Sequence, residues 1–408
     1  MIKLITRSFI FLLTILISNI FALDALFDVP VNYYTYRTPY AICSFDFDGD
    51  NDNDLAVALY GIDYVSVMLN DGNGAFPNNI SMSVGDGPLA LYAANLNNDN
   101  KIDLAVVNSN SNNVSILLNN GDGTFQSAVN YNVGTAPSSV FSCDLDNDYD
   151  NDLTVVNYSS YAGGFYHISV LLNNGDGTFQ NEATYPVGSW PIAVFGSDFD
   201  NDGYNDIAVT SFGQDLVSVL INNGDGTFIS LDNYTSSYGP NSVFSCYLNN
   251  DNFNDLAVSN SSSDKVSVFF NNGDGTFEPE VTFSVGSLGY YPTSIFCADF
   301  DGDDDNDIVT ANKNSNNISI LLNNGDETFQ PAINYFAGTG SRSVCSADFD
   351  GDNDKDIAVA NFDADTVSIF FNRTNTPSCC IGITGNVDGS GDNQIDIADI
   401  VYFIDYSF

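Results

Sequence analysis

The sequence predicts an all-β fold: a seven-bladed β-propeller built from four-stranded antiparallel blades. One observation behind this prediction is a turn motif, NNGDGTF, at 119–125, 173–179, 222–228 and 271–277, with variants at 70–76 (NDGNGAF) and 323–329 (NNGDETF). The other is an acidic loop that recurs every 49 to 54 residues, starting at Asp46, Asn95, Asp144, Asp198, Tyr247, Asp299 and Asp348. Units of this period that are rich in short apolar segments are typical of propeller blades.

Each unit contains four segments with the pattern of a β-strand. In the third unit they lie in PSSVFSCDLD, LTVVN, ISVLLNN and FQNEATYPVG. Runs of Val, Ile and Leu bounded by Gly, Asn and Asp favour strands over helices. The acidic loop joins the first two strands. The glycine-rich turn closes the hairpin between the third and fourth strands, because Gly and Asn tolerate the positive φ that a tight hairpin requires.

The two ends of the repeat array predict how the ring closes. The segment FDVPVNY at 27–33 resembles a fourth strand, as in FQSAVNY at 125–131, yet it precedes the first full unit. The seventh unit stops after VSIFFN at 367–372 and lacks a fourth strand of its own. The N-terminal strand is therefore predicted to complete the last blade, which removes two exposed strand edges. The propeller is predicted to span residues 27–373.

The first residues have the pattern of a secretory signal peptide. Lys3 and Arg7 precede an apolar run from Phe9 to Ile17, and Ala22 is a small residue suited to cleavage. We expect a signal peptide over 1–22 and a secreted protein, located extracellularly or at the cell surface. An uncleaved anchor is the alternative.

The charge of the chain limits its partners. Lys and Arg number 9 against 53 Asp and Glu, a formal net charge of −44. Such a surface repels phosphate backbones and anionic lipids, so nucleic acid and membrane insertion are not expected. Self-repulsion on this scale destabilises a compact monomer unless cations neutralise it. Divalent cations are the obvious candidates.

The acidic loops carry Asp or Asn at positions 1, 3, 5 and 9. Alternate spacing lets a coiled loop turn every second carboxylate inward around a cation. Hard oxygen donors without His or Cys favour Ca²⁺ over zinc or copper, and Mg²⁺ is less suitable because it retains its water. The predicted ligands are Asp46, Asp48, Asp50 and Asp54; Asn95, Asn97, Asp99 and Asp103; Asp144, Asp146, Asp148 and Asp152; Asp198, Asp200, Asp202 and Asp206; Asn249, Asp251 and Asp255; Asp299, Asp301, Asp303 and Asp307; and Asp348, Asp350, Asp352 and Asp356.

These sites are not expected to be equal. The second loop has Asn at its first two ligand positions and should bind more weakly. The fifth loop begins with Tyr247 and should be the weakest or empty. The alternative explanation is that the loops are merely Asx-rich turns. A turn of that kind needs only one Asp or Asn, whereas each loop here supplies at least four.

The pairing of loops such as DFDGDNDNDLAVA with VSVLLNNGDGTF-type segments resembles the FG-GAP/VCBS repeat family, which also includes the propellers of integrin α-subunits. The resemblance covers roughly residues 27–373. It implies a calcium-binding β-propeller but no single activity, since a fold does not fix a function.

The C-terminal segment differs from the repeats. A linker is predicted over 374–384, followed at 385–408 by a loop and an amphipathic helix. The segment resembles one calcium-binding half of a dockerin, which implies a cohesin-like partner that tethers the chain to an assembly. Two extra residues in its loop leave open whether Asp392 or Asp396 is a ligand. The candidate ligands are Asn386, Asp388, Ser390, Asp396 and Asp399.

No catalytic arrangement stands out in the sequence. His167 is the only histidine, and no nucleophile motif lies near it. Metal ligation already explains each dense carboxylate cluster, so we do not expect an enzyme. An extracellular polysaccharide-active lyase or hydrolase that uses carboxylates is the alternative.

Aromatic residues predict a recognition surface on the face opposite the acidic loops. They fall in an insertion of the third unit and in two connections between units, among Ser, Asn and Gly. Such a surface suits carbohydrate or an extracellular protein. We therefore expect a secreted calcium-binding adhesion module, with a purely structural surface protein as a further alternative, and packing between blades as the alternative role of each ring. The candidates are Tyr158, Tyr161, Tyr166, His167, Trp190, Tyr290 and Tyr291.

Five of the seven cysteines precede acidic loops at similar places in different units. They are predicted to be small buried residues rather than disulfide partners. The pairing of Cys379 and Cys380 stays open.

Overall fold

The computed structural model describes residues 26–158, 166–286 and 289–374, and they form seven four-stranded antiparallel sheets. This confirms the predicted seven-bladed propeller. The predicted signal peptide, the C-terminal segment with its candidate ligands and Tyr161 lie outside the described residues. In chain order the strands are β1 (Val31–Tyr34), β2 (Pro39–Phe45), β3 (Asp54–Leu59), β4 (Tyr64–Leu69), β5 (Asn78–Ser83), β6 (Pro88–Ala94), β7 (Asp103–Asn108), β8 (Asn113–Leu117), β9 (Val129–Asn132), β10 (Pro137–Cys143), β11 (Asp152–Asn157), β12 (His167–Leu171), β13 (Ala183–Pro186), β14 (Pro191–Ser197), β15 (Asp206–Ser211), β16 (Leu216–Asn222), β17 (Phe228–Thr235), β18 (Pro240–Cys246), β19 (Asp255–Asn260), β20 (Lys265–Phe269), β21 (Val281–Ser284), β22 (Pro292–Ala298), β23 (Asp307–Asn312), β24 (Asn317–Leu321), β25 (Ile333–Phe336), β26 (Ser341–Ala347), β27 (Asp356–Asn361) and β28 (Thr366–Phe370).

The ring closes through the N-terminal strand, as predicted. Strand β1 pairs antiparallel with β28, with Val31 opposite Ile369 and Tyr34 opposite Thr366. The regular pairing is four residues long, as it is in β9, β13, β21 and β25, none of which has a Pro at the position of Pro30. Before Pro30, an isolated bridge joins Phe27 to Asn372, and the N–H of Asp28 donates to the carbonyl of Phe371 at 2.9 Å.

The second strand of every blade is buried along its whole length. In β3, for example, all six residues of DLAVAL are buried. Both faces of this strand pack against neighbouring blades, and one core cluster joins Ile42 and Leu55 of the first blade to Ala358 and Ile369 of the seventh. Strands buried on both faces read as continuous apolar runs, which explains the Val-, Ile- and Leu-rich segments of the repeat.

The first strand of each blade is the inner edge of its sheet and faces the centre of the ring. Six of these strands begin with Pro, and the exception is Ser341 in the seventh blade. Proline is tolerated at the first residue of an edge strand because no ladder hydrogen bond is lost there. The acidic loops follow the other end of these strands.

The cysteines of the described residues are free thiols, as expected. Cys246, Cys297 and Cys345 are buried, and Cys43 and Cys143 are partly buried. Burial raises the pKa of the Cys345 thiol well above its ordinary value. Across the described residues, no helix has the length and apolar character needed to cross a membrane.

Candidate functional site

Backbone amides within each acidic loop wrap around its alternate carboxylates. In the first loop, Asp46 accepts hydrogen bonds from the N–H of Gly49 at 2.7 Å and of Asn51 at 3.0 Å. The N–H of Asp52 donates to Asp50 Oδ1 at 3.0 Å. Gly49 and Asn51 adopt φ of 83° and 73°, which lets the chain coil tightly. The coiled backbone therefore directs carboxylates from positions 1, 3 and 5 towards one centre.

Five loops bring three carboxylates together, with one oxygen from each lying within 4.8 Å of the others. These are the loops predicted to be fully acidic. Within the described ranges, no such trio forms in the second or fifth loop, where Asn or Tyr247 replaces the first carboxylate. The trios are Asp46, Asp48 and Asp50; Asp144, Asp146 and Asp152; Asp198, Asp200 and Asp206; Asp299, Asp301 and Asp303; and Asp348, Asp350 and Asp356.

Several buried oxygens in these loops have no hydrogen-bond partner. They include Asp146 Oδ1, Asp198 Oδ1, Asp301 Oδ1 and Asp350 Oδ1. Leaving a buried acceptor unsatisfied costs about 1–3 kcal/mol, and more for a charged group. Burial, followed by the charge of Asp303, raises the pKa of Asp301. A divalent cation would satisfy these oxygens and offset the repulsion, so the residues present fit Ca²⁺.

The ninth-position aspartate links its loop to the following turn. Asp206 is fully buried, and it accepts hydrogen bonds from the N–H of Phe199 at 2.9 Å and of Asn222 at 2.8 Å. Burial raises its pKa to about 7 in spite of these two bonds. Each carboxylate oxygen retains a second lone pair, so this structural role is compatible with metal ligation. The same pair of bonds forms at Asp54, Asp103, Asp152, Asp206, Asp255, Asp307 and Asp356.

The first asparagine of the turn motif joins neighbouring blades. Asn222 Nδ2 donates to the carbonyl of Leu145 in the preceding blade's acidic loop and to that of Asn205 in its own loop, both at 2.9 Å. Its Oδ1 accepts from the N–H of Gly224 at 3.0 Å. We call this buried set the asparagine ring: Asn70, Asn119, Asn173, Asn222, Asn271, Asn323 and Asn372 each bridge to the preceding blade in this way.

The motif's repetition therefore has a structural cause that the sequence prediction missed. The hairpin between the third and fourth strands was predicted correctly, but the buried asparagine was not assigned a role. One signal was available: the seventh unit has no hairpin of its own and still retains Asn372. Its Nδ2 donates to the carbonyl of Phe300 at 2.8 Å, so the asparagine serves the blade interface even without the turn.

The two glycines of the turn allow it to cover the preceding acidic loop. Gly226 has φ of 74°, and a Cβ there would lie 2.9 Å from Leu172 Cδ2 and 3.6 Å from Asp146 Cβ, both in the previous blade. The sixth turn has Glu327 at the equivalent position, with φ of 66°. That turn lies against the fifth loop, since Asn323 Nδ2 donates to the carbonyl of Leu248 at 3.1 Å. The irregular turn thus covers one of the two loops that lack a carboxylate trio.

Tyr158 and Trp190 lie together on the face opposite the acidic loops. Their ring centroids are 6.5 Å apart, with 31° between the ring planes. Tyr158 is 42% exposed and Trp190 is 46% exposed. Trp190 adopts φ of 52°, and the residue before the first strand has a positive φ in every other blade as well, whether it is Gly87, Gly239 and Gly340 or Thr38, Ala136 and Tyr291. The positive φ is therefore a property of this connection in all seven blades and not of Trp190 alone.

Two other predicted recognition residues, Tyr166 and His167, belong to the same blade as Tyr158, and His167 lies opposite Asn157 in the β11–β12 pair. His167 begins β12, and its Nε2 would lie 2.6 Å from a Cβ at Gly134, so the ring packs beside that backbone. The carbonyl of Tyr166 accepts a hydrogen bond from Val187.

Tyr290 and Tyr291 belong to a different connection, between the fifth and sixth blades. Tyr290 packs against a core cluster, which is the alternative role considered for these rings. The N–H of Tyr291 donates to Asp264 Oδ1 at 2.8 Å, and its φ is 58°.

Comparisons with known proteins agree with this architecture. The FG-GAP-like repeat family matches the chain six times, at residues 46–106, 95–155, 144–209, 198–258, 247–310 and 299–359. Each match runs from one acidic loop through the next, and together they cover more than half of the chain. A search of curated proteins finds no match.

Solved structures show the same fold at low identity. BBS1N in complex with ARL6DN has 13% identity and a TM-score of 0.61, covering 85% of this chain and 97% of that chain. A catalytically inactive virginiamycin B lyase from Staphylococcus aureus has 15% identity and a TM-score of 0.57, covering 84% and 99%. An Agrocybe aegerita lectin described as specifically recognising non-reducing terminal N-acetylglucosamine has 21% identity and a TM-score of 0.52, covering 74% and 81%. At these identities the likeness shows the fold alone. Because six matches to the family cover most of the described residues, the chain belongs to the FG-GAP-like repeat family.

Proposed function

We propose that the chain is an extracellular, calcium-stabilised binding module for carbohydrate, with Tyr158 and Trp190 as its recognition platform. The observation that carries this proposal is the pair of adjoining, partly exposed aromatic rings. A surface protein with a complementary loop is the other partner class that such a pair suits.

Two adjoining rings with exposed faces suit a sugar. Tyr and Trp offer a flat apolar face together with a polar edge, so they can stack on the apolar face of a pyranose and still donate hydrogen bonds. The fold shared with a lectin lends general support, because propellers present such surfaces at the ends of their strands.

Calcium is proposed to occupy the five loops that hold carboxylate trios. The residues at positions 1, 3, 5 and 9 of those loops would supply the ligands. When bound, the ion supplies positive charge and holds the carboxylate oxygens of the loop in a rigid arrangement. It takes no part in a reaction on a substrate. The trios and the unsatisfied buried oxygens support this assignment. Ca²⁺ is favoured over Mg²⁺ because these crowded carboxylates leave little room for retained water.

The number of bound ions tests the calcium assignment. Native mass spectrometry of the full chain, titrated with CaCl₂, should show five tightly bound Ca²⁺ ions, one for each trio. Further ions should need much higher calcium, because the second and fifth loops contribute fewer carboxylates. Replacement of Asp200 and Asp202 by Asn should remove one ion from the fourth loop. A chain that binds no ion, or that loses none in this variant, would contradict the assignment.

A glycan array tests the recognition platform. With calcium present, the fluorescently labelled protein should bind one class of glycan, and Trp190→Ala should weaken that binding at least about tenfold, since buried aromatic anchors dominate such contacts. Tyr149→Ala is the matched control, because Tyr149 is 86% exposed but lies in an acidic loop on the other face. Binding that survives Trp190→Ala unchanged would exclude the proposed platform, and binding lost equally in both variants would place the site elsewhere.

The proposed role is non-catalytic. The one histidine packs beside Gly134, and the buried aspartates of the loops accept backbone hydrogen bonds. Incubation with plant and algal polysaccharides should therefore release no reducing ends. Measurable release that depends on a loop carboxylate would favour a polysaccharide-active enzyme instead.

A further inference from the structure

The inner strands of the propeller enclose a small cavity at the end opposite the acidic loops. It has a volume of about 250 Å³ and is lined by the first residues of those strands. Leu89 and Ile192 give one part an apolar wall, whereas Asn241, Thr293 and Arg342 give another part hydrogen-bonding groups. The cavity has the size of a monosaccharide or of another small organic molecule.

Arg342 carries the only positive charge among the residues that line this cavity. Its guanidinium carbon lies 3.6 Å from the centre of the Tyr40 ring and 5.8 Å from that of Phe362. It also donates a hydrogen bond to the Tyr40 hydroxyl. Lys313 Nζ lies 5.8 Å from the same Phe362 ring, so two cations approach one aromatic cluster.

In the part of the chain that the structure describes, no acidic side chain forms an ion pair with Arg342. Among the described residues, the ion pairs are Lys101 with Asp99 and Arg373 with Asp28, and Arg342 takes part in neither. Its Nε is buried and has no hydrogen-bond partner. In a chain with 53 acidic residues, an arginine without a carboxylate partner is unexpected. A buried donor left unsatisfied is unfavourable, and an anionic ligand beside the guanidinium would offset that cost.

The repeat itself does not require an arginine at this position. The equivalent residues in the other blades are uncharged, and the preceding Pro is replaced by Ser341 in this blade alone. The equivalent residues are Tyr40, Leu89, Ser138, Ile192, Asn241 and Thr293. Six blades therefore form without a cation at this position, so the geometry of a blade does not require Arg342.

The acidic loops do not prevent an anion from binding in this cavity. Strand β26 extends from Ser341 to Ala347 before the seventh loop begins. At about 3.3 Å per residue this separation is roughly 20 Å. The Debye length at physiological ionic strength is about 8 Å, so the negative charge of the loops is largely screened at the cavity.

We propose that this central cavity binds the carboxylate of an acidic monosaccharide unit, with Arg342 as the bidentate partner. Arg matches a carboxylate with two parallel hydrogen bonds, and Tyr40 holds the guanidinium in place by stacking on it. Lys313 adds a second positive charge nearby, and Asn241 and Thr293 offer hydrogen bonds to hydroxyls. This proposal deepens the proposed carbohydrate binding by naming an acidic sugar class, and it uses residues distinct from Tyr158 and Trp190.

Calorimetry with small probes tests the proposal. The calcium-loaded full chain should bind galacturonate at least about tenfold more tightly than galactose, which has the same ring without the carboxylate, and more tightly than inorganic phosphate. Arg342→Met should reduce galacturonate affinity at least tenfold. Arg342→Lys keeps the charge but cannot form two parallel hydrogen bonds, so it should also weaken galacturonate binding. The melting temperature of this variant should be unchanged. Arg37→Gln is the control, because Arg37 is an exposed arginine of the β1–β2 connection, and it should change nothing.

Two sets of outcomes would overturn the proposal. Equal affinity for galacturonate and galactose, or for galacturonate and phosphate, would exclude specific recognition of an acidic sugar. Unchanged galacturonate affinity in Arg342→Lys and Arg342→Met would exclude the cavity, and Arg342 would then be a clamp between the seventh and first blades. Trp190→Ala should leave galacturonate binding intact, so failure of the recognition platform is distinguishable from failure of the cavity site.

Discussion

Chelating calcium should lower the melting temperature of the protein by about 15 °C or more. A site saturated at a hundred times its Kd adds about 2.7 kcal/mol to the free energy of unfolding, so five independent sites would add on the order of 10 kcal/mol. A protein of this size loses roughly 1 °C for each 0.7 kcal/mol. Differential scanning calorimetry of the chain in 2 mM CaCl₂ and in excess EGTA would measure the shift.

The matched control for this experiment is magnesium. Added to the chelated protein at the same concentration, Mg²⁺ should restore much less of the lost melting temperature, because it requires octahedral geometry and retains its waters. Full restoration by Mg²⁺ would indicate general charge screening. An unchanged melting temperature in EGTA would mean that the loops are acidic turns without bound ions.

Asn222→Ala should be among the most destabilising single substitutions in the chain. It removes both Nδ2 hydrogen bonds, to the carbonyls of Leu145 and Asn205, and the bond that Oδ1 accepts from the N–H of Gly224. Asn222 is 2% exposed, so water cannot readily replace the amide. We expect a loss of about 3 kcal/mol in the free energy of unfolding, from three hydrogen bonds of this buried side chain at about 1 kcal/mol each. Chemical denaturation in saturating calcium would measure it.

The neighbouring Asn223 provides the control. Its Nδ2 donates only to Thr227 Oγ1 at 2.8 Å, at an exposed position. Asn223→Ala removes the same side-chain atoms from the next residue and should cost less than about 0.5 kcal/mol, as is usual for surface substitutions. Equal losses for the two variants would show that the asparagine ring does not stabilise the blade interfaces.

The fold could be predicted from the sequence because its signals repeat. Seven acidic loops indicated seven blades. Ring closure was indicated by a fourth-strand segment that ends at Tyr33, before the first unit, and by a seventh unit without a fourth strand. The continuous apolar runs correctly indicated strands such as β3, which are buried on both faces. The positions of the carboxylate trios followed as well, because alternate spacing within one loop is a local property.

Contacts between blades could not be predicted in the same way. The amide of Asn222 meets the carbonyl of Leu145, 77 residues earlier in the chain, and no local pattern indicates that pairing. The same holds for Arg342 and Tyr40, which become neighbours only when the ring closes. The exposure of single aromatic rings could not be predicted either: Trp190 and Tyr290 stand in similar connections in the sequence, yet Trp190 is 46% exposed whereas Tyr290 packs against the core.

Hydrogen–deuterium exchange with and without calcium tests the link between the acidic loops and the turns that cover them most directly. The exchange rates should be measured well below the melting temperature of the chelated protein. We expect EGTA to accelerate exchange in the five loops with trios and in the covering turns of the next blades, such as 222–227. The fifth loop and its covering turn at 323–328 should exchange at the same rate in both conditions. Equal exchange in all seven loops, with and without calcium, would contradict a propeller whose blades are held together through calcium-loaded loops.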